Sequence, residues 1–138
     1  SVAYGSTTDN NVQVSGYYDN NMAQEVFNLT NQERANNGLS AYSWDSNMAS
    51  YSDRRAKEIV TDYSHNSVGG NWSVGENIAE GETSASEVVN DWMNSAGHKA
   101  NILSDVSTKT SVSCYVEKFT YADGSTQYLY HWVQNFTH

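Results

Sequence analysis

Three residues in the middle of the chain have side chains that could do chemistry together: His65, Glu76 and His98. Imidazole nitrogens and a carboxylate oxygen can bind zinc, and a catalytic zinc takes three protein ligands and one water. No two of the three lie four residues apart, so the HExxH pattern of helical zinc sites is absent. Any site made from these residues must therefore be assembled by the fold from separate segments.

Each of these residues also has a structural explanation. Each histidine could form a hydrogen bond to the backbone of its own loop. Glu76 lies between Gly75 and Asn77, where its carboxylate could accept backbone N–H groups and hold a turn. His138 is the last residue of the chain and is expected to have no function.

The sequence gives little support for a serine or a cysteine nucleophile. No GxSxG segment is present, which argues against a serine hydrolase elbow. Cys114 alternates with Val112 and Val116 on a predicted strand, so we expect a buried and unreactive thiol. As the single cysteine, it forms no intrachain disulfide.

A glycosidase site stays open, whereas a site that stacks a ligand on aromatic residues is disfavoured. Glycosidase chemistry needs two carboxyl groups about 5–9 Å apart, and the spacing of the acidic residues does not fix such a distance. The tryptophans and tyrosines are expected in the core and the sheet rather than against a ligand. The acidic residues in question are Glu76, Glu80, Glu82 and Glu87.

Charge limits the partners of the chain. Seven basic residues stand against sixteen acidic ones among 138, which gives a net charge of −9. This balance argues against nucleic acid, because binding to phosphates requires clustered Lys and Arg. It also argues against charge-driven binding to anionic lipids. No apolar run is long enough to cross a membrane, and the start at Ser1 rather than Met suggests a chain whose leader has been removed.

The chain divides into a polar arm and one domain. Residues 1–20 are rich in Asn, Ser, Thr and Gly, and we expect an N-terminal arm that is partly disordered. Residues 21–138 form the predicted domain. Its helices are predicted at 21–36, at 46–60 and from 85 onwards, with a short helical turn over 96–103.

Apolar periodicity and caps support these helices. The second helix has a narrow face of small and apolar residues, and the third has a wide apolar stripe. Ser84 with Glu87 forms a capping box at the start of the third helix. The narrow face consists of Met48, Ser52, Ala56 and Ile59, and the stripe of Ala85, Val88, Val89, Trp92 and Met93.

The last third of the chain changes to a period of two. Val112, Cys114 and Val116 alternate with polar residues, and the dipeptide at 123–124, Asp-Gly, is a strong hairpin turn signal. A returning strand is predicted over residues 128–136. Helices followed by a hairpin indicate an α+β class.

Several segments together resemble the CAP superfamily, which contains cysteine-rich secretory proteins, antigen 5 and plant pathogenesis-related protein 1. The likeness is to its bacterial branch of SCP-like extracellular proteins and covers residues 22–137. GENIA followed downstream by WMNSAGHKANIL is the specific combination. The segments are LTNQERANNGLSAYSWDSNMASYSDRRAKEI, YSH, GENIA, VVNDWMNSAGHKANIL and YHWVQNF.

This resemblance implies a three-layer α-β-α sandwich with a small, mostly antiparallel central sheet. It also implies a cleft with two histidines and two acidic residues. His65, Glu76 and His98 match three of these positions, and Ser95 stands where the second acid would follow the helix tryptophan. Asn31 and Arg34 match an NxxR element of the first helix that is expected to be structural.

The implied function is that of a secreted or cell-surface bacterial protein. We expect a non-catalytic, monomeric extracellular module that binds a small apolar ligand, a divalent ion or a protein partner in the cleft. The alternative is a metal-assisted, protease-like hydrolase in which Glu76 is the base. In that case His65 and His98 would hold zinc or another divalent cation.

Overall fold

A computed structural model describes residues 11–138. The described part contains five strands and four helices. In order these are β1 (Val12–Tyr18), α1 (Asn20–Asn36), β2 (Ser43–Trp44), α2 (Ser46–Thr61), β3 (Gly75–Glu80), α3 (Ala85–Met93), α4 (Ala96–Ile102), β4 (Lys109–Tyr121) and β5 (Thr126–Thr137).

The strands form one sheet in the order β1-β4-β5-β3, in which all neighbours are antiparallel. The two-residue strand β2 pairs with β4 in parallel. The long β4–β5 hairpin turns at Gly124, whose φ of 86° is one that glycine adopts at no steric cost. The mostly antiparallel sheet and the α+β class are therefore confirmed.

Helices cover both faces of the sheet. On one face, α1, α3 and α4 pack against alternate residues of the central strands, among them Cys114 and Trp132. On the other face, α2 packs through Ala56 and Ile59 against Ile78 and Val133. Because side chains of a strand alternate between faces, the central strands contribute to both cores. This arrangement is the three-layer sandwich that the resemblance implied.

Side-chain caps fix where the helices begin. Asp19 accepts a hydrogen bond from the Met22 backbone N–H at 3.0 Å, and Asp45 caps α2 in the same way. Ser84 accepts from the Glu87 N–H at 3.1 Å, while the Glu87 carboxylate accepts from the Thr83 N–H. The predicted capping box thus forms, with its reciprocal bond one residue earlier than the usual pattern.

Part of the predicted N-terminal arm belongs to the sheet. Residues 12–18 form the edge strand β1, paired with β4 from Val12 opposite Tyr121 to Tyr18 opposite Tyr115. A Cβ at Gly16 would overlap the ring of Tyr115, so glycine permits this close pairing. Residues 1–10 of the arm lie outside the described part of the chain.

The NxxR element is structural, as expected. Asn31 exchanges two hydrogen bonds with the backbone of Tyr42, at 3.0 and 2.8 Å. The buried Arg34 donates to the carbonyls of Ser40, Ile102 and Ser104. These bonds join α1 to the segment that precedes β2 and to the end of α4. They hold the two helices together beside the larger of the two cores.

The aromatic residues divide between the core and the surface. Trp92 and Trp132 are fully buried, which confirms the expectation for these two. Trp72 is 51% exposed, so the expectation of a core or sheet position is wrong for this residue. Burial also raises the pKa of the Cys114 thiol, which keeps it protonated and confirms its assignment to the core.

Within residues 11–138, no helix combines the length and the apolar character that crossing a membrane would require.

Candidate functional site

An arginine that the sequence analysis did not single out organises the site. Arg55 lies on the buried face of α2, one turn after Ser52, and its side chain is fully buried. All five N–H donors of its guanidinium have an acceptor. Two go to the carbonyls of Ser64 and Asn66, at 2.6 and 2.8 Å. One goes to Glu58 at 3.0 Å, and the remaining two go to Glu76.

Glu76 receives four hydrogen bonds on its two carboxylate oxygens. Oε1 accepts from Arg55 Nη2 at 2.9 Å and from His65 Nδ1 at 2.8 Å. Oε2 accepts from Arg55 Nε and from Asn135 Nδ2, both at 2.9 Å. A carboxylate offers about four lone-pair sites, so this one is fully occupied.

These bonds also set the charge of Glu76. Burial alone raises the pKa of the carboxyl, but hydrogen bonds from Arg55, His65 and Asn135 outweigh it and lower the pKa below its usual value. The expectation that Glu76 holds a turn through backbone N–H groups is wrong. It lies on strand β3 and binds side chains, because its cross-strand neighbour on β5 is Asn135.

Asn135 is held in place by hydroxyl groups. Its Oδ1 accepts from Ser52 Oγ at 2.7 Å, and Ser52 in turn contacts Ser111 at 2.6 Å. Its Nδ2 donates to Ser73 Oγ at 3.1 Å as well as to Glu76. The amide therefore has one orientation, with its nitrogen toward the carboxylate.

His65 lies at the open side of this network. Its side chain is 60% exposed, and its backbone neighbours Ser64 and Asn66 are bound by Arg55. An ionised carboxylate only accepts hydrogen bonds, so Nδ1 of His65 is the donor to Glu76. In the neutral ring this leaves Nε2 as an acceptor.

His98 lies on α4, in the helix layer on the other face of the sheet. Its ring packs at 6.4 Å from the Trp92 ring. Burial lowers the pKa of His98, and the nearby His65 lowers it further. Asn77 of β3 donates to the His98 carbonyl at 3.2 Å and accepts from Asn101 at 2.9 Å, so β3 positions the helix that carries His98.

Ser95 is the N-cap residue of α4, and its side chain makes no capping hydrogen bond there. It is partly buried. A hydroxyl at this position carries no charge, so the second acidic residue that the resemblance implied has no ionic substitute here.

A cavity of about 230 Å³ opens beside the Glu76 network. It brings together two of the four predicted cleft residues, His65 and Glu76. The other lining residues come from α2 and from the segment before β3, which the sequence analysis did not include. They are Tyr51, Asn71, Ser73, Val74 and Gly75.

The donor set does not fit a three-ligand zinc site. Glu76 has no free lone pair, because four N–H groups occupy its oxygens. The remaining donors are two imidazoles, whereas protein zinc sites use three or four side-chain ligands. Among residues 11–138, no group of three or more His, Cys, Asp and Glu side chains is arranged to hold a metal ion.

A second titratable cluster lies away from the cavity, where β3 leads into α3. Burial and the carboxylate of Asp91 raise the pKa of Glu82 to about 7. A protonated Glu82 can donate a hydrogen bond to Asp91. Two ionised carboxylates have no donor between them and repel each other. Glu82 therefore favours its protonated form more than an exposed glutamate does.

One signal for Arg55 was present in the sequence. The buried stripe of α2 runs from Met48 through Ser52 and Ala56 to Ile59, and residue 55 falls on the same face one turn after Ser52. A charged residue on a buried face needs a buried partner. Asn135 and Ser73 had no comparable signal, because their roles depend on strand register and loop path.

Comparison with known proteins agrees with this fold. The model of the cysteine-rich secretory protein family, CAP, matches residues 27–136. YkwD of Bacillus subtilis (strain 168) is 31% identical over 127 residues, which cover 81% of this chain and 47% of that protein. The chain thus spans about half the length of this relative.

Solved structures similar to this chain include two bacterial proteins. The first is an extracellular protein containing a SCP domain from Bacillus anthracis str. Ames, with 26% identity and a TM-score of 0.66, over 86% of this chain and 41% of that one. The second is an outer surface protein from Borrelia burgdorferi, with 16% identity and a TM-score of 0.67, over 89% of this chain and 98% of that one. At its identity, the second supports the fold alone.

Proposed function

Since the chain belongs to the cysteine-rich secretory protein family, CAP, we propose that it is a secreted, non-catalytic module that binds an uncharged ligand in the cavity beside His65. The relative from Bacillus anthracis is an extracellular protein, and this supports secretion or a surface location here. A small molecule or a segment of a protein partner would enter the cavity from the side of His65.

The saturated carboxylate of Glu76 is the observation that carries this proposal. A general base must accept a proton during the reaction, and its pKa is best matched to the operating pH. Glu76 instead has a lowered pKa and four donors on its oxygens. Its role is to neutralise the buried Arg55 and to orient His65, which is the role of a positioning residue.

The hydrolase alternative has less support for the same reason. It needs Glu76 as base and a metal ion held by His65 and His98, but Glu76 already binds Arg55 and His65. His65 alone supplies Nε2 as an acceptor for a ligand hydroxyl or amide. The test therefore measures binding and turnover separately.

The experiment compares His65→Ala with His138→Ala. Both replace an exposed histidine, but only His65 lines the cavity. Each protein is incubated with casein and with small esters to measure turnover. Each is also titrated with a panel of neutral fragments and short peptides, and binding is mapped by amide chemical shifts.

We expect no turnover above background in any of the proteins. Fragment-induced shifts should cluster at the lining residues, weaken in His65→Ala and persist in His138→Ala. Turnover that is lost in His65→Ala and retained in His138→Ala would overturn the proposal in favour of the hydrolase.

A further inference from the structure

We infer that the ligand of this cavity is a neutral carbohydrate, with one pyranose ring stacked on Trp72 and its hydroxyl groups bound by the cavity. The inference rests on the proposed function, since it names the ligand class of the same site. Three features of the described residues support it: an uncharged loop, an exposed indole that packs on a buried tyrosine, and neutral hydrogen-bonding groups.

The loop that forms the cavity carries no formal charge. Residues 63–75 include no Asp, Glu, Lys or Arg, although the chain has sixteen acidic and seven basic residues. Both nearby cations are already bound: Arg55 by Glu76, and Arg54 by Ser67 Oγ and the Gly70 carbonyl, both at 3.0 Å. An ionic ligand would find no free counter-charge here, so the site suits a neutral one.

Trp72 is exposed and packs on a buried tyrosine. Its indole is 51% exposed and packs at 5.5 Å from the ring of Tyr51 with a tilt of 52°. Tyr51 is 3% exposed, and its hydroxyl donates to Asn71 Oδ1 at 3.1 Å. Leaving a large aromatic surface in water is unfavourable, so a ligand that covers the indole gains free energy from its burial.

An aromatic platform of this kind fits a sugar ring. The face of the indole carries partial negative charge, and one face of a pyranose presents C–H groups that form weak contacts with it. Trp72 lies between the lining residues Asn71 and Ser73 and packs on a third, Tyr51. A ring on the indole would therefore have its edge at the mouth of the cavity.

The polar groups of the cavity match hydroxyl groups. Ser73 Oγ accepts from Asn135, and a hydroxyl oxygen has a second lone pair that can accept from a ligand hydroxyl. His65 offers Nε2 as an acceptor, and the amide of Asn71 can donate while its oxygen accepts from Tyr51. A volume of about 230 Å³ is below the ~300–1,000 Å³ of drug-sized sites, so it suits one ring or a chain end.

The test uses short neutral oligomers of β-1,4-linked N-acetylglucosamine, β-1,4-linked glucose and α-1,4-linked glucose. Binding is followed by tryptophan fluorescence and by amide chemical shifts. The variants are Trp72→Ala and Trp72→Phe, with Val68→Ala as control, because Val68 is 99% exposed on the same loop. Circular dichroism checks that each variant is folded, and Trp72→Phe retains a ring if alanine perturbs the loop.

We expect one oligomer series to bind and to shift the cavity residues. Trp72→Ala should weaken binding about tenfold, which corresponds to about 1.4 kcal/mol, Trp72→Phe should weaken it less, and Val68→Ala should leave it unchanged. Equal effects of Trp72→Ala and Val68→Ala, or sugar shifts remote from the cavity, would overturn the inference.

Two further outcomes separate this inference from the proposed function. If neutral fragments or peptides bind at His65 but no oligosaccharide does, the carbohydrate inference fails and the binding module stands. If neither class of ligand shifts the cavity residues, both proposals fail.

Discussion

Replacing Glu76 by glutamine tests whether this carboxylate is a structural centre or a free reactive group. The substitution keeps the shape of the side chain but removes its charge and one of its two acceptor oxygens. Four N–H groups now bind Glu76, from Arg55, His65 and Asn135. A glutamine oxygen accepts about two of them, and its NH₂ group would face the donors that remain.

The size of the effect follows from these bonds. Two charge-assisted hydrogen bonds are lost, each with a net contribution of about 1.5–3 kcal/mol, and removing one partner of a buried ion pair costs about 3–5 kcal/mol. Arg55 keeps Glu58 and the carbonyls of Ser64 and Asn66. We therefore expect the free energy of unfolding to fall by about 3 kcal/mol, at the low end of that range.

Urea denaturation followed by tryptophan fluorescence measures this loss. With a slope of about 2 kcal/mol per molar, the midpoint should fall by about 1.5 M. Glu25→Gln is the matched control, because Glu25 is exposed on α1 and its replacement should change the free energy of unfolding by less than about 0.5 kcal/mol.

The pH dependence adds a second measurement. The pKa of Glu76 is lowered in the folded protein from its usual 4.5, so its contribution is complete above pH 4.5 and is lost as pH falls through the lowered value. The difference between the wild type and Glu76→Gln should shrink over that acid range. A loss as small as that of Glu25→Gln at pH 7 would refute the structural role and restore Glu76 as a free base or metal ligand.

Three other predictions concern Arg34, the pair of Glu82 and Asp91, and zinc. Arg34→Met removes three hydrogen bonds to backbone carbonyls and should lower the free energy of unfolding by about 3 kcal/mol; a melting temperature unchanged by calorimetry would contradict this. Burial and Asp91 raise the pKa of Glu82 to about 7. The free energy of unfolding of the wild type should therefore fall by about 1 kcal/mol, after solvent screening, as pH rises from 4.5 to 7. This pH dependence should vanish in Glu82→Gln, and an equal slope in both proteins would contradict the raised pKa of Glu82. Because the oxygens of Glu76 are occupied, zinc titration by calorimetry at pH 7 should show no micromolar binding, and His98→Ala should leave the titration unchanged; micromolar binding that is lost in His98→Ala would contradict this.

Helix positions could be predicted because they depend on local signals. Asp45 and Ser84 cap helices at the expected places, and the stripe from Ala85 to Trp92 is buried. The edge strand β1 was missed, because VQVSGYY exposes most of its side chains on both faces and so lacks the period-two apolar pattern. Its place in the sheet comes from backbone pairing with β4.

The sequence by itself determined the family, the layers of the fold and the two residues, His65 and Glu76, that meet in the cavity. What Glu76 does was decided by the tertiary structure alone. Arg55 reaches it from α2, 21 residues away, and Asn135 from β5, 59 residues away. A motif specifies which side chain is present. The donors that bind the oxygens of a carboxylate come from residues that only the fold brings close. Spacing along the chain therefore could not show whether Glu76 is a free base or a carboxylate whose lone pairs are all hydrogen-bonded.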